Sequence, residues 1–133
     1  MKKTAAQLVA EATAEIVTLT PQEALDLQGK GEAVLVDIRD VRELAREGKV
    51  PGAVHAPRGM LEFWIDPESP YHRDVFAQTG KTYIFFCAAA WRSALATRDV
   101  QNMGFGPVAH IEGGFTAWRD QEMPVETPQS KEG

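Results

Sequence analysis

The sequence is poor in cysteine, and Cys87 is the only one in 133 residues. A single cysteine excludes an intrachain disulfide, and the CxxC spacing of zinc ribbons and dithiol redox centres is absent. A lone thiol is better preserved in a reducing compartment, so we expect a cytoplasmic protein. His55, His72 and His110 are far apart and lack metal-ligand spacing, so no metal site is predicted.

The sequence also lacks an excess of positive charge and any long apolar run. Its 14 Lys and Arg residues stand against 19 Asp and Glu residues, which gives a net charge of −5. This balance argues against binding to nucleic acid or to an anionic membrane surface. No stretch approaches the ~20 apolar residues of a membrane span. Gln7, Glu11 and Glu15 interrupt the apolar run that a signal peptide would need after Lys2 and Lys3.

What the sequence does contain is a regular alternation of helical and strand patterns. Apolar spacing and capping residues predict helices at 4–15, 21–28, 41–47, 58–66, 92–103 and 115–121. Apolar runs predict strands at 16–19, 33–38, within 50–57, at 82–86 and at 107–111. The alternation predicts one α/β domain over 16–126, a central parallel sheet with helices on both faces. An extra N-terminal helix precedes it in 1–15, and a mobile polar tail follows at 127–133.

The segment FFCAAAWRSA (85–94) places the lone thiol directly after a predicted strand and before a predicted helix. Ligands of parallel sheets bind at this end of the strands. A helix N-terminus and a nearby cation favour the reactive thiolate. The small side chains of Ala88, Ala89 and Ala90 leave room for backbone N–H groups to face an anion, and Arg92 adds a planar cationic fork. These features predict an activated Cys87 in an anion-binding loop.

Each of these residues also has a simpler interpretation. A lone cysteine after a strand is often a small buried apolar residue, but the Cys-x-x-x-x-Arg-Ser spacing favours function. Ser93 either caps the helix or contacts the sulfur, and capping is favoured. Trp91 covers either the pocket mouth or the neighbouring helix. His110 follows the pattern of a structural histidine more than that of a catalytic base.

The chain resembles the single-domain rhodanese-like sulfurtransferases in four segments that occur in the family's order. They are VLVDIRD (34–40), KVPGAVHAP (49–57), FFCAAAWRSA (85–94) and HIEGGFTAWRDQEMPVE (110–126). The resemblance implies a rhodanese fold and a catalytic Cys87 that carries sulfur as a persulfide. It also implies that Asp37 and Arg39, which match the family's Asp-x-Arg pair, are buried structural support near the base of the loop.

In this resemblance the loop amides cradle the sulfur donor and Arg92 closes the loop. The implied substrate-binding residues are Ala88, Ala89, Ala90, Trp91, Arg92 and Ser93. Four residues separate the cysteine from the arginine, as in the sulfurtransferases, whereas the related phosphatases and arsenate reductases have five. The chain departs from the family at Ala90, where glycine is usual and where a positive φ is expected, and at Lys49, where histidine is frequent.

The sequence therefore predicts a sulfurtransferase that needs no metal or organic cofactor. Its partners would be a small sulfur donor such as thiosulfate and a thiol or cyanide acceptor, with a sulfur-relay protein as a further partner. The alternative is a sulfur-carrier or regulatory module of the same fold with low turnover, which Ala90 and the apolar segment FWIDPESPY (63–71) favour. A phosphatase-like activity ranks third because of the loop length.

Overall fold

The computed structural model describes residues 1–127, so most of the predicted polar tail, from residue 128 onward, lies outside the described residues. The elements in chain order are α1 (Ala5–Glu15), β1 (Val17–Leu19), α2 (Pro21–Gly29), β2 (Ala33–Asp37), α3 (Val41–Glu47), β3 (Val54–His55), α4 (Leu61–Ile65), β4 (Thr82–Phe86), α5 (Trp91–Asn102), β5 (Val108–Ile111) and α6 (Gly114–Asp120). Short 3₁₀ turns occupy Arg58–Met60 and Asp74–Ala77.

The strands of the described residues form one parallel sheet in the order β1-β5-β4-β2-β3. Alternate residues of each inner strand face opposite sides, as the pleat requires. Val36 and Phe85 pack with α4 and α5 on one side, and Leu35 and Phe86 pack with α2 and α6 on the other. The predicted α/β fold with helices on both faces is confirmed.

Helix starts follow the capping residues. Thr4, Thr20 and Asp40 each form a capping box with the residue three positions later. Helix α1 lies against α5, where Ala12 is fully buried and the Gln101 side chain donates to the Glu15 carbonyl at 2.9 Å. The extra N-terminal helix therefore packs on the domain itself. None of the helices between residues 1 and 127 combines the length and the apolar character that crossing a bilayer requires.

Two predicted boundaries were wrong. The stretch 58–66 is a 3₁₀ turn followed by a short helix instead of one helix. Helix α6 begins at Gly114 instead of residue 115, because N–H groups in its first turn find acceptors in the loop that follows β4. Since all strands are parallel, that loop and the segments after β2 and β5 meet at one edge of the sheet.

Candidate active site

Cys87 is the first residue after β4, and it is buried, with 1% of its surface exposed. The backbone N–H of Ser93, in the first turn of α5, donates to its Sγ at 3.4 Å. The sulfur therefore sits at the N-terminal end of a 12-residue helix, where the helix dipole favours negative charge. This is the strand-to-helix position that the sequence predicted.

The backbone of the loop is oriented by α6. The carbonyl oxygens of Cys87 and Ala88 accept hydrogen bonds from the N–H groups of Phe115, at 2.7 Å, and Thr116, at 3.1 Å. In a trans peptide the N–H points opposite to the carbonyl, so the N–H groups of Ala88 and Ala89 point away from α6. The N–H groups of residues 88–92 have no acceptor within the described residues 1–127. The loop thus presents a series of free donors beside the sulfur.

Gly114 makes this arrangement possible, and sequence reasoning missed its role. Its φ is +60°, and a Cβ there would lie 2.5 Å from the Cys87 oxygen and 2.7 Å from the Ala88 oxygen. Only glycine lets the start of α6 approach the loop so closely. The signal in the sequence is the pair Gly113-Gly114 directly before a helical pattern.

Ala90 occupies the left-handed region, with φ 77° and ψ −2°, and it is the N-cap of α5 without a side-chain cap. Ala90 thus has a positive φ, which glycine adopts more readily than alanine. A left-handed alanine costs ~1–2 kcal/mol relative to ordinary backbone. Strain of this size persists where the surroundings hold the backbone, as the hydrogen bonds from α6 do here.

Arg92 is held by a carboxylate from a different part of the chain. Its two terminal nitrogens donate to the two oxygens of Glu43, on α3, at 2.8 and 3.0 Å. The hydrogen bonds from Arg92 lower the pKa of Glu43 below its usual range. Those with Glu43 are the largest cause that raises the pKa of Arg92, and interactions with Cys87 add to it. Sequence reasoning did not find Glu43.

Asp37 and Arg39 form a buried pair at the end of β2. The Arg39 Nε lies 3.0 Å from Asp37 Oδ1, and its Nη2 lies 2.8 Å from Oδ2 and 2.9 Å from the Gly48 carbonyl oxygen. Both side chains are almost completely buried. The guanidinium stacks 4.1 Å from the centre of the Phe115 ring. Because the Phe115 N–H binds the Cys87 carbonyl, this pair lies one residue away from the loop.

Ser93 and Trp91 differ in their surroundings. Ser93 is fully buried and does not cap α5, contrary to the favoured prediction, because Ala90 is the N-cap. Its Oγ lies 3.0 Å from Nδ1 of His110, which follows Ala109 in β5. Trp91 is 54% exposed, so it does not lie buried against a neighbouring helix. Ala89 is exposed, while Ala88 and Ala90 are half-buried.

The chain is similar to known proteins in sequence and in structure. The family described as "Rhodanese-like domain" matches residues 20–121. A thiosulfate sulfurtransferase GlpE from Ectopseudomonas mendocina is 33% identical over 118 residues, which cover 89% of this chain and 97% of that protein.

Two solved structures are similar along most of both chains. A protein of unknown function from Rhodopseudomonas palustris, described as a "possible tyrosine phosphatase", is 49% identical with a TM-score of 0.89, covering 95% of this chain and 96% of its own. The polysulfide-sulfur transferase homodimer from Wolinella succinogenes is 30% identical with a TM-score of 0.69, covering 94% and 88%.

Proposed function

This chain belongs to the rhodanese-like domain family, and from that premise we propose that it transfers sulfane sulfur through a persulfide on Cys87. One observation carries the proposal: the buried Cys87 sulfur accepts the Ser93 N–H at 3.4 Å and begins a loop whose N–H groups, at residues 88–92, have no acceptor within residues 1–127. An anionic sulfur is the group that this set of donors suits.

In the first step the Cys87 thiolate attacks the outer sulfur of a donor such as thiosulfate. The S–S bond of thiosulfate breaks, sulfite leaves with the bonding electron pair, and a Cys87 persulfide anion remains. In the second step an acceptor nucleophile attacks the outer sulfur, and the new S–S bond breaks with its electrons returning to the Cys87 thiolate. With cyanide the product is thiocyanate. Both steps balance without an external oxidant or reductant.

The loop would supply electrostatic stabilisation in both steps. The N–H groups of Ala88 and Ala89 are oriented by the α6 hydrogen bonds to the preceding carbonyls, so these two need little reorganisation when negative charge develops on the outer sulfur. Glu43 fixes the position of Arg92 through two hydrogen bonds, and Arg92 would add a positive charge to the loop. In this proposal Asp37 and Arg39 stabilise the base of the loop and take no part in bond changes.

A phosphatase activity is the second candidate, because the R. palustris protein is described as a possible tyrosine phosphatase and is 49% identical to this chain. The loop length argues against it. Four residues lie between Cys87 and Arg92, whereas the resemblance assigns five to the phosphatases of this fold, whose pocket must admit a tetrahedral group. A sulfur-carrier role with low turnover is the third candidate and shares the persulfide.

The test is intact mass spectrometry after incubation with thiosulfate. We expect the wild-type protein to gain the mass of one sulfur atom, to lose it on addition of cyanide, and to form thiocyanate repeatedly in a steady-state assay. Because the chain has one cysteine, any thiol-bound sulfur is on Cys87. The variant Cys87→Ser is the control and is expected to gain none.

The alternatives give different results in the same samples. Sulfur loading with a single turnover and no steady-state thiocyanate would support the carrier role. Hydrolysis of p-nitrophenyl phosphate by wild type, absent in Cys87→Ser and without any sulfur loading from thiosulfate or polysulfide, would replace the proposal with a phosphatase.

A further inference from the structure

A buried histidine lies next to the sulfur loop, and the proposed reaction does not use it. His110 sits in β5 between β4 and β1, with Phe85 and Thr18 as its strand partners. It is 2% exposed, and its two ring nitrogens contact two hydroxyls: Nδ1 lies 3.0 Å from Ser93 Oγ and Nε2 lies 3.1 Å from Thr18 Oγ1. Burial lowers the pKa of His110, which favours the neutral ring.

A neutral imidazole has one N–H donor and one acceptor nitrogen, so the two hydroxyls must play complementary roles. Thr18 is exposed at the edge strand of the sheet, and its hydroxyl can turn to suit either tautomer. Ser93 Oγ is fully buried, and His110 is its only hydrogen-bond partner in residues 1–127. The tautomer of the imidazole therefore determines whether the Ser93 hydroxyl donates or accepts in this hydrogen bond.

Without the histidine, Ser93 would have a different partner available. Serine hydroxyls also donate to neighbouring backbone carbonyls when no other acceptor is present. Ser93 is the third residue of α5, so the sulfur loop lies directly before it in the chain. A bond to a loop carbonyl would use up the hydroxyl proton.

We propose that His110 is a positioning residue for sulfur transfer: with the proton on Nδ1 it donates to Ser93 Oγ, so that the Ser93 hydroxyl proton remains available to the negative outer sulfur of the Cys87 persulfide. The geometry behind this is that Ser93 already donates its backbone N–H to Cys87 Sγ at 3.4 Å. A side chain in the first turn of a helix points toward the helix N-terminus, which here is the loop. The inference rests on the proposed persulfide.

The experiment measures single-turnover sulfur loading from thiosulfate by quenched mass spectrometry. His110→Phe fills a similar volume without hydrogen bonds. We expect its maximal loading rate to fall by about 10- to 100-fold, the loss seen when the hydrogen-bond partner of a metal-ligating side chain is removed. The thiosulfate concentration that gives half the maximal rate should stay near the wild-type value, since the loop N–H groups remain. His110→Asn, whose amide reaches about as far as Nδ1, should recover most of the rate.

A double-mutant cycle separates positioning from a merely structural effect. If His110 acts through Ser93, then His110→Phe should cause no further loss of loading rate in a Ser93→Ala background. Equal losses in both backgrounds would overturn the inference. Thr97→Val is the matched control: this buried threonine also lies on α5, but its hydroxyl has no partner within residues 1–127, so its removal should leave loading unchanged.

The outcomes distinguish this inference from the proposed function. Absence of loading in wild type contradicts the persulfide itself. Normal loading in wild type together with unchanged rates in His110→Phe contradicts only the role of His110. If His110→Phe does not reach the folded state by circular dichroism, the same cycle is measured with His110→Leu, and the same criterion applies.

Discussion

The strands β4 and β2 lie side by side and end at the same edge of the sheet, with Phe86 opposite Asp37. The segments that follow them are built from different groups. After β4 the polar groups are backbone N–H groups, and the side chains are mostly those of alanine. After β2 they are side chains, the carboxylate of Asp37 and the guanidinium of Arg39, which bind each other at 2.8 and 3.0 Å.

The two strand ends differ in whether their polar groups have hydrogen-bond partners within the protein. At the end of β2 the charged side chains are buried and bind each other, and Arg39 Nη1 is the one nitrogen of this pair without a hydrogen-bond partner in residues 1–127. Their contribution is therefore to the stability of this edge of the sheet. At the end of β4 the donors have no partner within the described residues, so their hydrogen-bonding capacity is available to a ligand. Phe115 connects the two regions, since its ring stacks on Arg39 and its N–H binds the Cys87 carbonyl.

The largest expected effect comes from breaking the pair after β2. In Asp37→Asn the Arg39 guanidinium stays buried without a full counter-charge, because Glu47 is 3.8 Å away and partly exposed. We expect a loss of about 3–5 kcal/mol in the free energy of unfolding, measured by urea denaturation. Asp74→Asn, at a fully exposed carboxylate, is the control and should change little.

The same variant tests the division of roles. If the pair after β2 serves stability alone, the fraction of Asp37→Asn that remains folded should load sulfur from thiosulfate at close to the wild-type rate. A variant of normal stability that loads sulfur poorly would show that the two strand ends are not separate in function.

A second prediction concerns Gly114, at the start of α6, which packs against the backbone of the sulfur loop. Gly114→Ala places a Cβ against the carbonyl oxygens of Cys87 and Ala88, so the loop must shift and at least one N–H loses its direction. Misplacing one donor of this kind costs ~10²–10³ in rate, and we expect a fall of that size in single-turnover loading. Gly31→Ala is the matched control, because Gly31 also has a positive φ, of 72°, but nothing lies within 4 Å of the added Cβ.

The control variant Gly31→Ala separates the effect of a strained φ from the effect of the steric clash with the loop. Both variants place alanine in the left-handed region, which costs ~1–2 kcal/mol in free energy of unfolding, and Gly114→Ala should lose more because the collision with two backbone oxygens adds to this cost. Only Gly114→Ala should lose loading rate. An equal loss of rate in Gly31→Ala would mean that lowered stability, and not the position of the loop, limits the reaction.

A smaller effect is expected at Glu43, the carboxylate that holds Arg92. Glu43→Gln keeps the side-chain acceptor that caps α3 but removes the charge. The ion pair is partly exposed, so we expect a loss of ~0.2–1 kcal/mol in free energy of unfolding at pH 7. The pKa of Glu43 is lowered in the folded protein, so this contribution is present above the ordinary glutamate range and is lost as pH falls through the lowered value.

The measurement is the difference in urea midpoint between wild type and Glu43→Gln at a series of pH values. The difference should be constant from neutral pH down to the ordinary glutamate range and should disappear at lower pH. A difference that stays constant at the lowest pH values would contradict the assignment of the effect to the Glu43–Arg92 charge pair.

The comparison of the two strand ends also explains what the sequence was able to predict. Cys87, Arg92, Asp37 and Arg39 carry their chemistry in side chains and follow apolar strand patterns, so both their type and their position at the edge of the sheet were predictable. The α6 hydrogen bonds to the loop involve backbone groups, which every residue has. The sequence shows that residue 114 is glycine but not why glycine is needed there, because the reason is the close approach of the Cys87 and Ala88 carbonyl oxygens in the folded protein.

Contacts between residues far apart in the sequence were the other feature that the sequence could not predict. Glu43 is 49 residues from Arg92, and nothing in the local pattern of α3 distinguishes it from a solvated glutamate. His110 and Thr18 are 92 residues apart and meet only because β1 pairs with β5. The sequence indicated each strand, but the order β1-β5-β4 that brings these side chains together is a property of the folded sheet.

The smallest expected effect is at Ala90, within the loop itself. Its left-handed conformation costs ~1–2 kcal/mol, which glycine avoids, but glycine gives back ~0.5–1 kcal/mol through the greater entropy of the unfolded chain. Ala90→Gly should therefore change the free energy of unfolding by no more than about 1.5 kcal/mol. Glu122→Gly is a matched control, since Glu122 has a φ of 61° at a distance from the loop and should give a similar change.

The loading rate of Ala90→Gly decides whether the strain matters for the reaction. The hydrogen bonds from Phe115 and Thr116 fix the loop on the side of Cys87, and α5 fixes it on the side of Trp91, so the backbone at Ala90 is held from both directions. The cost of the strain then falls on stability, and the single-turnover loading rate should stay close to that of wild type. A rise of tenfold or more would correspond to about 1.4 kcal/mol of relieved strain in the reacting state. That result would mean that the wild-type loop spends most of its time relaxed, which would favour the low-turnover carrier over the enzyme.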